Sequence, residues 1–178
     1  KASGEATSLE RESLVGQFVG DFLILGRLGK GGFGRVLLAL QRPLLRLPAA
    51  IKLLEFGGHD AATTNRILDK FENEAAVLAV LNHPNIVRLL HYGMHQDRPF
   101  LAMEFVPNRE TLQTMMNRLM VQGASIEPNA LRQILNQVLD GLEAAHEQYM
   151  IHRDIQPENI TLHEVVGNPH HVKLLDFG

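Results

Sequence analysis

The sequence lacks several features that would define its class. Its 178 residues include no cysteine, which excludes disulfide bonds and thiolate metal sites. No apolar run approaches the roughly 18 residues that a membrane span needs, and the polar residues 1–13 do not form a signal peptide. The formal net charge of -3 gives no bulk attraction to nucleic acid or to an anionic membrane. These absences favour a cytoplasmic protein with no membrane segment in these residues.

The composition that remains is that of an ordinary globular protein. Hydrophobic residues make up 45% of the chain and charged residues 21%, and the length is enough for one domain with a core. The sequence does not begin with methionine and ends directly after an apolar segment. We therefore expect a piece of a longer protein, whose other parts stay open and could include a membrane anchor.

Short apolar runs bounded by turn residues predict a five-stranded sheet with one inserted helix, followed by a mainly helical region with a small hairpin. The predicted strands lie near 22–25, 36–40, 49–54, 86–92, 100–106, 160–162 and 172–175, and the predicted helices near 63–81, 112–121 and 128–148. This order indicates a lead-in at 1–15 and two regions at 16–106 and 107–178. The last helix carries one predicted apolar stripe, formed by Leu131, Leu135, Val138, Leu142 and Ala145.

A glycine-rich segment connects the first two predicted strands. Gly29, Gly31 and Gly34 form the pattern G-x-G-x-x-G, in which backbone N–H groups can approach phosphate because no Cβ intervenes. The dinucleotide-binding version needs a helix after the glycines, whereas a strand follows here. No Walker-type Gly-Lys-Ser/Thr follows at the required spacing either. Alone, the pattern is equally consistent with a flexible hairpin.

Lys52 lies inside an apolar strand, on the same face as Ala50 by alternation. In the following helix, Glu74 falls on the apolar stripe, so its burial would require a cation or hydrogen-bond donors. Lys52 is the candidate cation. The alternatives are an edge-strand lysine that reaches solvent and a glutamate at a solvated rim.

The last polar motifs are His152 to Asn159 and Asp176 to Gly178. A carboxylate and a carboxamide five residues apart, Asp154 and Asn159, can converge on one phosphate group and its metal. Asp176 offers a further hard oxygen ligand of the kind that magnesium prefers. The simpler alternative for the first motif is a polar turn, which its apolar flanks disfavour.

In order and approximate spacing, these motifs resemble those of eukaryotic-type Ser/Thr protein kinases, most closely the bacterial ones. The similarity covers nearly the whole chain from about Val19. It is carried by 29–36, 50–52, Glu74, 83–87, 103–105, 152–159 and 176–178. The resemblance implies an α+β, protein-kinase-like fold: an N-lobe with a five-stranded antiparallel sheet and one helix at 16–106, then a truncated, mainly helical C-lobe at 107–178.

The resemblance also implies the function and the site. ATP would donate its γ-phosphoryl group to a protein Ser or Thr hydroxyl, with Mg²⁺ held by Asn159 and Asp176. Asp154 would accept the hydroxyl proton, and Lys52, oriented by Glu74, would hold the α- and β-phosphates. The remaining implied nucleotide contacts are Leu28, Gly29, Lys30, Gly31, Gly32, Phe33, Gly34, Val36, Ala50, Met103, Glu104, Val106 and Thr161. Leu78, Leu89, His152 and Phe177 would stack as a spine.

Two residues depart from the family pattern. Gln156 stands where the family usually has a catalytic lysine, and a neutral amide cannot neutralise charge on the transferred group. Gln156 therefore supports slow transfer or an ATP-binding pseudokinase as the alternative. Thr161 replaces an aliphatic residue below the adenine. We also expect exposed apolar surface on the helix from Leu131 to Ala145, and aggregation of these residues when expressed alone.

Overall fold

The computed structural model describes residues 14–31, 34–55, 60–107 and 110–177. The chain divides into two compact units. Unit 1 contains the described residues up to 55 together with 91–105, and unit 2 contains residues 60–90 and the described residues from 106 onward. Residues 60–90 thus pack with unit 2, and the predicted division into lobes at residue 106 stays a prediction.

Unit 1 is built on a sheet with the strand order β1-β2-β3-β4-β6-β5. Its strands are β1 (Phe18–Val19), β2 (Phe22–Gly31), β3 (Gly34–Gln41), β4 (Leu47–Leu54), β5 (Leu89–His95) and β6 (Arg98–Glu104). The pairings β1–β2, β2–β3, β3–β4 and β4–β6 are antiparallel. The sheet therefore has six strands rather than the predicted five. The additional strand is β1, whose two residues are too few to show a period.

The core of unit 1 closes around the ring of Phe100. This ring meets the Phe22 ring edge-on, with centroids 6.2 Å apart. Gly20, at φ 55°, and Gly93 both lie against the same ring, and a Cβ at either position would come within 2.9 Å of it. The two glycines therefore leave the space that lets a large aromatic side chain become fully buried.

The described residues of unit 2 form three α-helices, a 3-10 turn and a small sheet. The helices are α1 (Ala61–Val80), α2 (Leu112–Val121) and α3 (Pro128–Glu147), and the strands are β7 (Glu110–Thr111), β8 (Ile160–Val165) and β9 (Asn168–Leu174). Each helix begins at a side-chain cap, in which Asp60, Thr111 or Glu127 accepts a hydrogen bond from a backbone N–H three residues on. The predicted hairpin becomes a three-stranded sheet, because β7 pairs with β8. None of the described helices is long and apolar enough to cross a bilayer.

The buried face of α3 differs from the predicted stripe. Its buried residues are Ile134, Val138, Gly141 and Ala145, whereas Leu131 and Leu135 are exposed. Val138 and Ala145 are buried as predicted, whereas the prediction was wrong for Leu131 and Leu135 and missed Ile134 and Gly141. Gly141 belongs to the inner face: a Cβ there would meet Leu174 Cδ1 at 3.0 Å, so the missing side chain lets α3 approach β9.

One amide side chain ties α3 to β9. The Gln137 Oε1 atom accepts hydrogen bonds from the backbone N–H of Val172 at 3.1 Å and from the side-chain amides of Asn168 and Asn85 at 3.1 and 3.3 Å. Gln137 Nε2 donates to the His170 carbonyl at 2.9 Å. These hydrogen bonds hold β9, which ends two residues before Asp176.

Candidate functional site

The candidate site in unit 2 is centred on Asp154. Asn159 Nδ2 donates to the backbone carbonyl of Asp154 and to its Oδ2 atom, both at 2.9 Å. Asn159 is buried at the end of a 3-10 turn, Pro157–Asn159, while the Asp154 side chain is exposed. The carboxylate and carboxamide that the sequence predicts to converge therefore do converge, and the carboxylate faces solvent.

Gln156 makes a second contact to the same carboxylate. Its Nε2 atom donates to Asp154 Oδ2 at 3.1 Å. The spacing of the motif predicts the convergence of Asp154 and Asn159, but it does not predict this contact, because the rotamer of an exposed loop side chain leaves no periodic signal.

The residues after β9 are bonded to this loop. The Leu175 N–H donates to the Asn159 backbone carbonyl at 2.9 Å, and the Leu175 carbonyl lies 2.9 Å from His152 Nε2. The rings of His152 and Phe177 are 4.4 Å apart at their centroids, and both side chains are buried. This confirms the predicted contact of His152 with Phe177 and places Asp176 next to a segment bonded to Asn159.

Two residues of this arrangement have left-handed backbone conformations. Arg153 lies at φ 62° and Asp176 at φ 53°. Non-glycine residues in this region cost about 1–3 kcal/mol each and persist only where the surroundings fix them. The hydrogen bonds of Leu175 and the packing of Phe177 supply such fixing. Strained backbone of this kind is concentrated at functional sites, which supports the assignment of the site here.

Burial of His152 favours the neutral form of its ring. Burial lowers the pKa of His152 below its usual 6.5, while the Leu175 carbonyl and the carboxylates of Asp154 and Asp176 act in the opposite direction. Among the described residues, its Nδ1 atom has no hydrogen-bond partner.

The donor atoms present fit Mg²⁺. Both hydrogen bonds of the Asn159 side chain to Asp154 are made by its nitrogen, so its carbonyl oxygen is the atom suited to a cation. Asp176 contributes a carboxylate, and hard oxygen ligands are those that magnesium prefers. The role of the two residues as metal ligands stays a prediction.

Thr161 and Val106, two predicted purine contacts of unit 2, are buried. The Thr161 hydroxyl donates to the Lys173 carbonyl at 2.9 Å across the β8–β9 pair. A polar side chain is tolerated there because its hydroxyl is satisfied by β9.

Unit 1 contains most of the other predicted nucleotide contacts. In the antiparallel register Val36 lies opposite Lys52, Ala50 lies opposite Met103, and Glu104 lies opposite Ala49. Directly opposite residues share a face of the sheet, and alternation adds Ala50 to the face of Lys52. Val36, Ala50, Lys52 and Met103 thus share one face of the sheet, which confirms the predicted common face of Ala50 and Lys52.

The glycine-rich segment is described at its two ends. Leu28, Gly29 and Gly31 belong to β2, and Gly34 opens β3. A Cβ at Gly34 would overlap the Leu53 carbonyl, so close backbone packing requires glycine there. Gly32, Phe33 and the side chain of Lys30 lie outside the described residues.

Glu74 is 7% exposed within α1, which confirms its predicted burial. Its buried neighbours on the helix are Ile67, Phe71, Ala75 and Leu78. A buried carboxylate requires partners. The predicted pairing of Glu74 with Lys52 stays a prediction.

Comparison with known proteins adds independent information. Residues 22–178 match the family described as "Protein kinase domain". The chain is 33% identical to serine/threonine-protein kinase Pkn1 of Myxococcus xanthus over 169 residues, which are 94% of this chain and 23% of that protein. It is 32% identical to serine/threonine-protein kinase PrkC of Bacillus subtilis, over 93% of this chain and 24% of that protein. The chain thus spans about a quarter of the length of these relatives.

The fold has a solved counterpart as well. The crystal structure of the PknI kinase domain of Mycobacterium tuberculosis superposes with a TM-score of 0.73 at 24% identity, covering 93% of this chain and 61% of that chain. This likeness confirms the expected α+β fold class.

Proposed function

Since this chain belongs to the protein kinase family, we propose that its protein transfers the γ-phosphoryl group of ATP to a Ser or Thr hydroxyl of a protein substrate. The observation that carries the proposal is the exposed carboxylate of Asp154, held at 2.9 Å by Asn159, whose backbone carbonyl is in turn bonded to Leu175. A carboxylate, a carboxamide and the backbone before Asp176 thus form one bonded group.

In the proposed reaction the substrate hydroxyl oxygen forms a bond to the γ-phosphorus. The bond between that phosphorus and the β,γ-bridging oxygen breaks, and ADP leaves. The hydroxyl proton passes to the carboxylate of Asp154. Asp154 is suited to this role because its side chain is exposed while a buried residue, Asn159, donates a hydrogen bond to its carboxylate.

Asn159 and Asp176 would hold Mg²⁺, which neutralises phosphate charge when bound. On unit 1, Lys52 would contact the α- and β-phosphates, and Val36 and Ala50 would cover the adenine. Their common face of the sheet supports this assignment. We also propose a cytoplasmic location, because ATP is present in that compartment.

A second candidate is an ATP-binding module that regulates a partner without phosphoryl transfer. The observation that favours it is Gln156, which is neutral at a position where the family places a cation. Electrostatic groups that act on a transition state are often worth about 10²–10³ in rate. The retention of Lys52, Asp154, Asn159 and Asp176 favours the enzyme.

Labelling of the full-length protein and of an added protein substrate with γ-labelled ATP tests the proposal. Lys52→Met and Asp154→Asn are each expected to abolish labelling. The matched controls, Lys70→Met and Asp140→Asn, change exposed residues of the same type on α1 and α3 and are expected to label normally. Measurable Mg-ATP binding by a wild-type protein that labels nothing would select the module instead.

A further inference from the structure

The Asp154 carboxylate receives two amide donors on one oxygen. Asn159 Nδ2 and Gln156 Nε2 lie 2.9 and 3.1 Å from Oδ2. Gln156 has an extended backbone, at φ -148° and ψ 157°. In the described part of the chain, the side-chain donors on this carboxylate both lie on Oδ2.

We infer that Gln156 is a positioning residue for Asp154. It holds the carboxylate so that Oδ1 is the oxygen left to accept the proton of the substrate hydroxyl. This inference rests on the proposed function. It assigns Gln156 a contribution to catalysis that needs no charge, whereas a simple loss of the family's lysine would leave the position without a role.

The physical reason lies in the exposure of the loop. An exposed carboxylate with one donor can rotate about its terminal torsion, which is a soft motion. Of its two donors, Asn159 is a buried residue and Gln156 an exposed one. Two donors on one oxygen restrict that rotation, and fixed orientation of a reacting group contributes directly to rate.

The role of the donor differs from that of a charge. An amide at position 156 orients the carboxylate but leaves the charge of the transferred group unchanged. A lysine would orient the carboxylate and would also neutralise part of the charge on the transferred group. The contact therefore predicts a protein kinase in which residue 156 orients Asp154 but carries no charge toward the transferred group. We expect its turnover to be slow, with the Asp154 carboxylate held in one orientation.

Four variants of the full-length protein separate these effects. Gln156→Met keeps the length and removes the donor, and Gln156→Glu also places a second carboxylate beside Asp154. Gln156→Lys restores a donor and adds the charge. Gln148→Met is the matched control, because Gln148 is an exposed glutamine at the end of α3. The measurements are kcat, KM for ATP, and Mg-ATP affinity by calorimetry.

We expect Gln156→Met to lower kcat about tenfold, with KM and Mg-ATP affinity within about twofold of wild type. Gln156→Glu should lower kcat further, Gln156→Lys should match or exceed wild type, and Gln148→Met should equal it. Unchanged Mg-ATP affinity shows that each variant is folded.

Each other result has a definite meaning. An active wild type whose Gln156→Met variant has an unchanged kcat overturns the positioning role while leaving the proposed function intact. The same holds for a variant in which only KM rises, since uniform binding rather than orientation would then be lost. A wild type that binds Mg-ATP but never transfers phosphate overturns the proposed function and this inference together.

Discussion

Gln137 offers a test of how β9 is held in place. Its side chain makes four hydrogen bonds outside its own helix: to the Val172 N–H, to the side-chain amides of Asn168 and Asn85, and to the His170 carbonyl. Val172 is fully buried, and its N–H donates to Gln137 Oε1. Gln137→Ala leaves this donor unsatisfied.

The expected cost follows from these contacts. These four bonds are only part-buried, so each is taken at about 0.6 kcal/mol, near the low end of the usual range. Their sum, less about 0.4 kcal/mol for the better helix propensity of alanine, gives a local destabilisation of about 2 kcal/mol. At about 1.4 kcal/mol for each factor of ten, the amide of Val172 should exchange roughly 30-fold faster.

Hydrogen–deuterium exchange of peptides that cover β9, in the full-length protein, measures this change. Gln133→Ala is the control, because Gln133 is exposed on α3 one turn before Gln137. Gln137→Glu keeps the acceptor oxygens and loses the donor to His170, so it should fall between wild type and Gln137→Ala. Equal exchange of β9 in Gln137→Ala and Gln133→Ala would refute the reasoning.

Two further predictions concern the pH dependence of stability and the exposed apolar face of α3. Because burial holds the pKa of His152 below 6.5 in the folded protein, only the unfolded state binds a proton as the pH first falls below about 6.5. This contribution to stability is fully present above that pH and is lost as the pH falls through the folded pKa. When the pH is lowered from 6.5, the urea midpoint of wild type should therefore fall by more than that of His152→Phe. Parallel curves of midpoint against pH would contradict this. In this 178-residue segment Leu139 is 61% exposed on α3, so when the segment is expressed alone Leu139→Gln should reduce light scattering on concentration with little change in the urea midpoint. Val138→Gln, at a buried neighbour, should lower the midpoint clearly, and equal midpoints for the two variants would refute the assignment of faces.

The sequence predicts those parts of the fold that periodicity and turn residues control. The burial of Glu74 follows from the 3.6-residue period of α1, and the shared face of Ala50 and Lys52 follows from strand alternation. These are backbone properties, which a repeating pattern reports directly. β1 escapes prediction because two residues carry no period.

The inner face of α3 was predicted correctly at Val138 and Ala145 and wrongly elsewhere. Leu131 and Leu135 look like core residues but are exposed, and the buried positions are Ile134 and Gly141, the latter against Leu174 of β9. A hydrophobicity pattern gives weight to large side chains, whereas close approach of a helix to a strand selects the position where a side chain is absent.

In the candidate site, too, the sequence predicts one contact and misses another. Spacing predicts that Asp154 and Asn159 converge, because a five-residue separation across a short turn brings the two positions together. The second donor, Gln156, depends on a rotamer choice at an exposed position, which no spacing rule contains. Its identity as glutamine predicts the loss of a charge and nothing about the hydrogen bond that it makes.

Three backbone amides near the end of β9 connect the packing of this strand to the candidate site. The N–H of Val172 is bonded to Gln137, that of Leu174 to the Asn85 carbonyl, and that of Leu175 to the Asn159 carbonyl. Three separate segments therefore hold three nearby amides, and the next residue, Asp176, adopts its strained left-handed conformation immediately after the last of them. Strain of about 1–3 kcal/mol at such a residue needs rigid support. The hydrogen bonds that stabilise β9 supply it, so the position of the predicted metal ligand depends on contacts that begin on α3, far along the chain from the site itself.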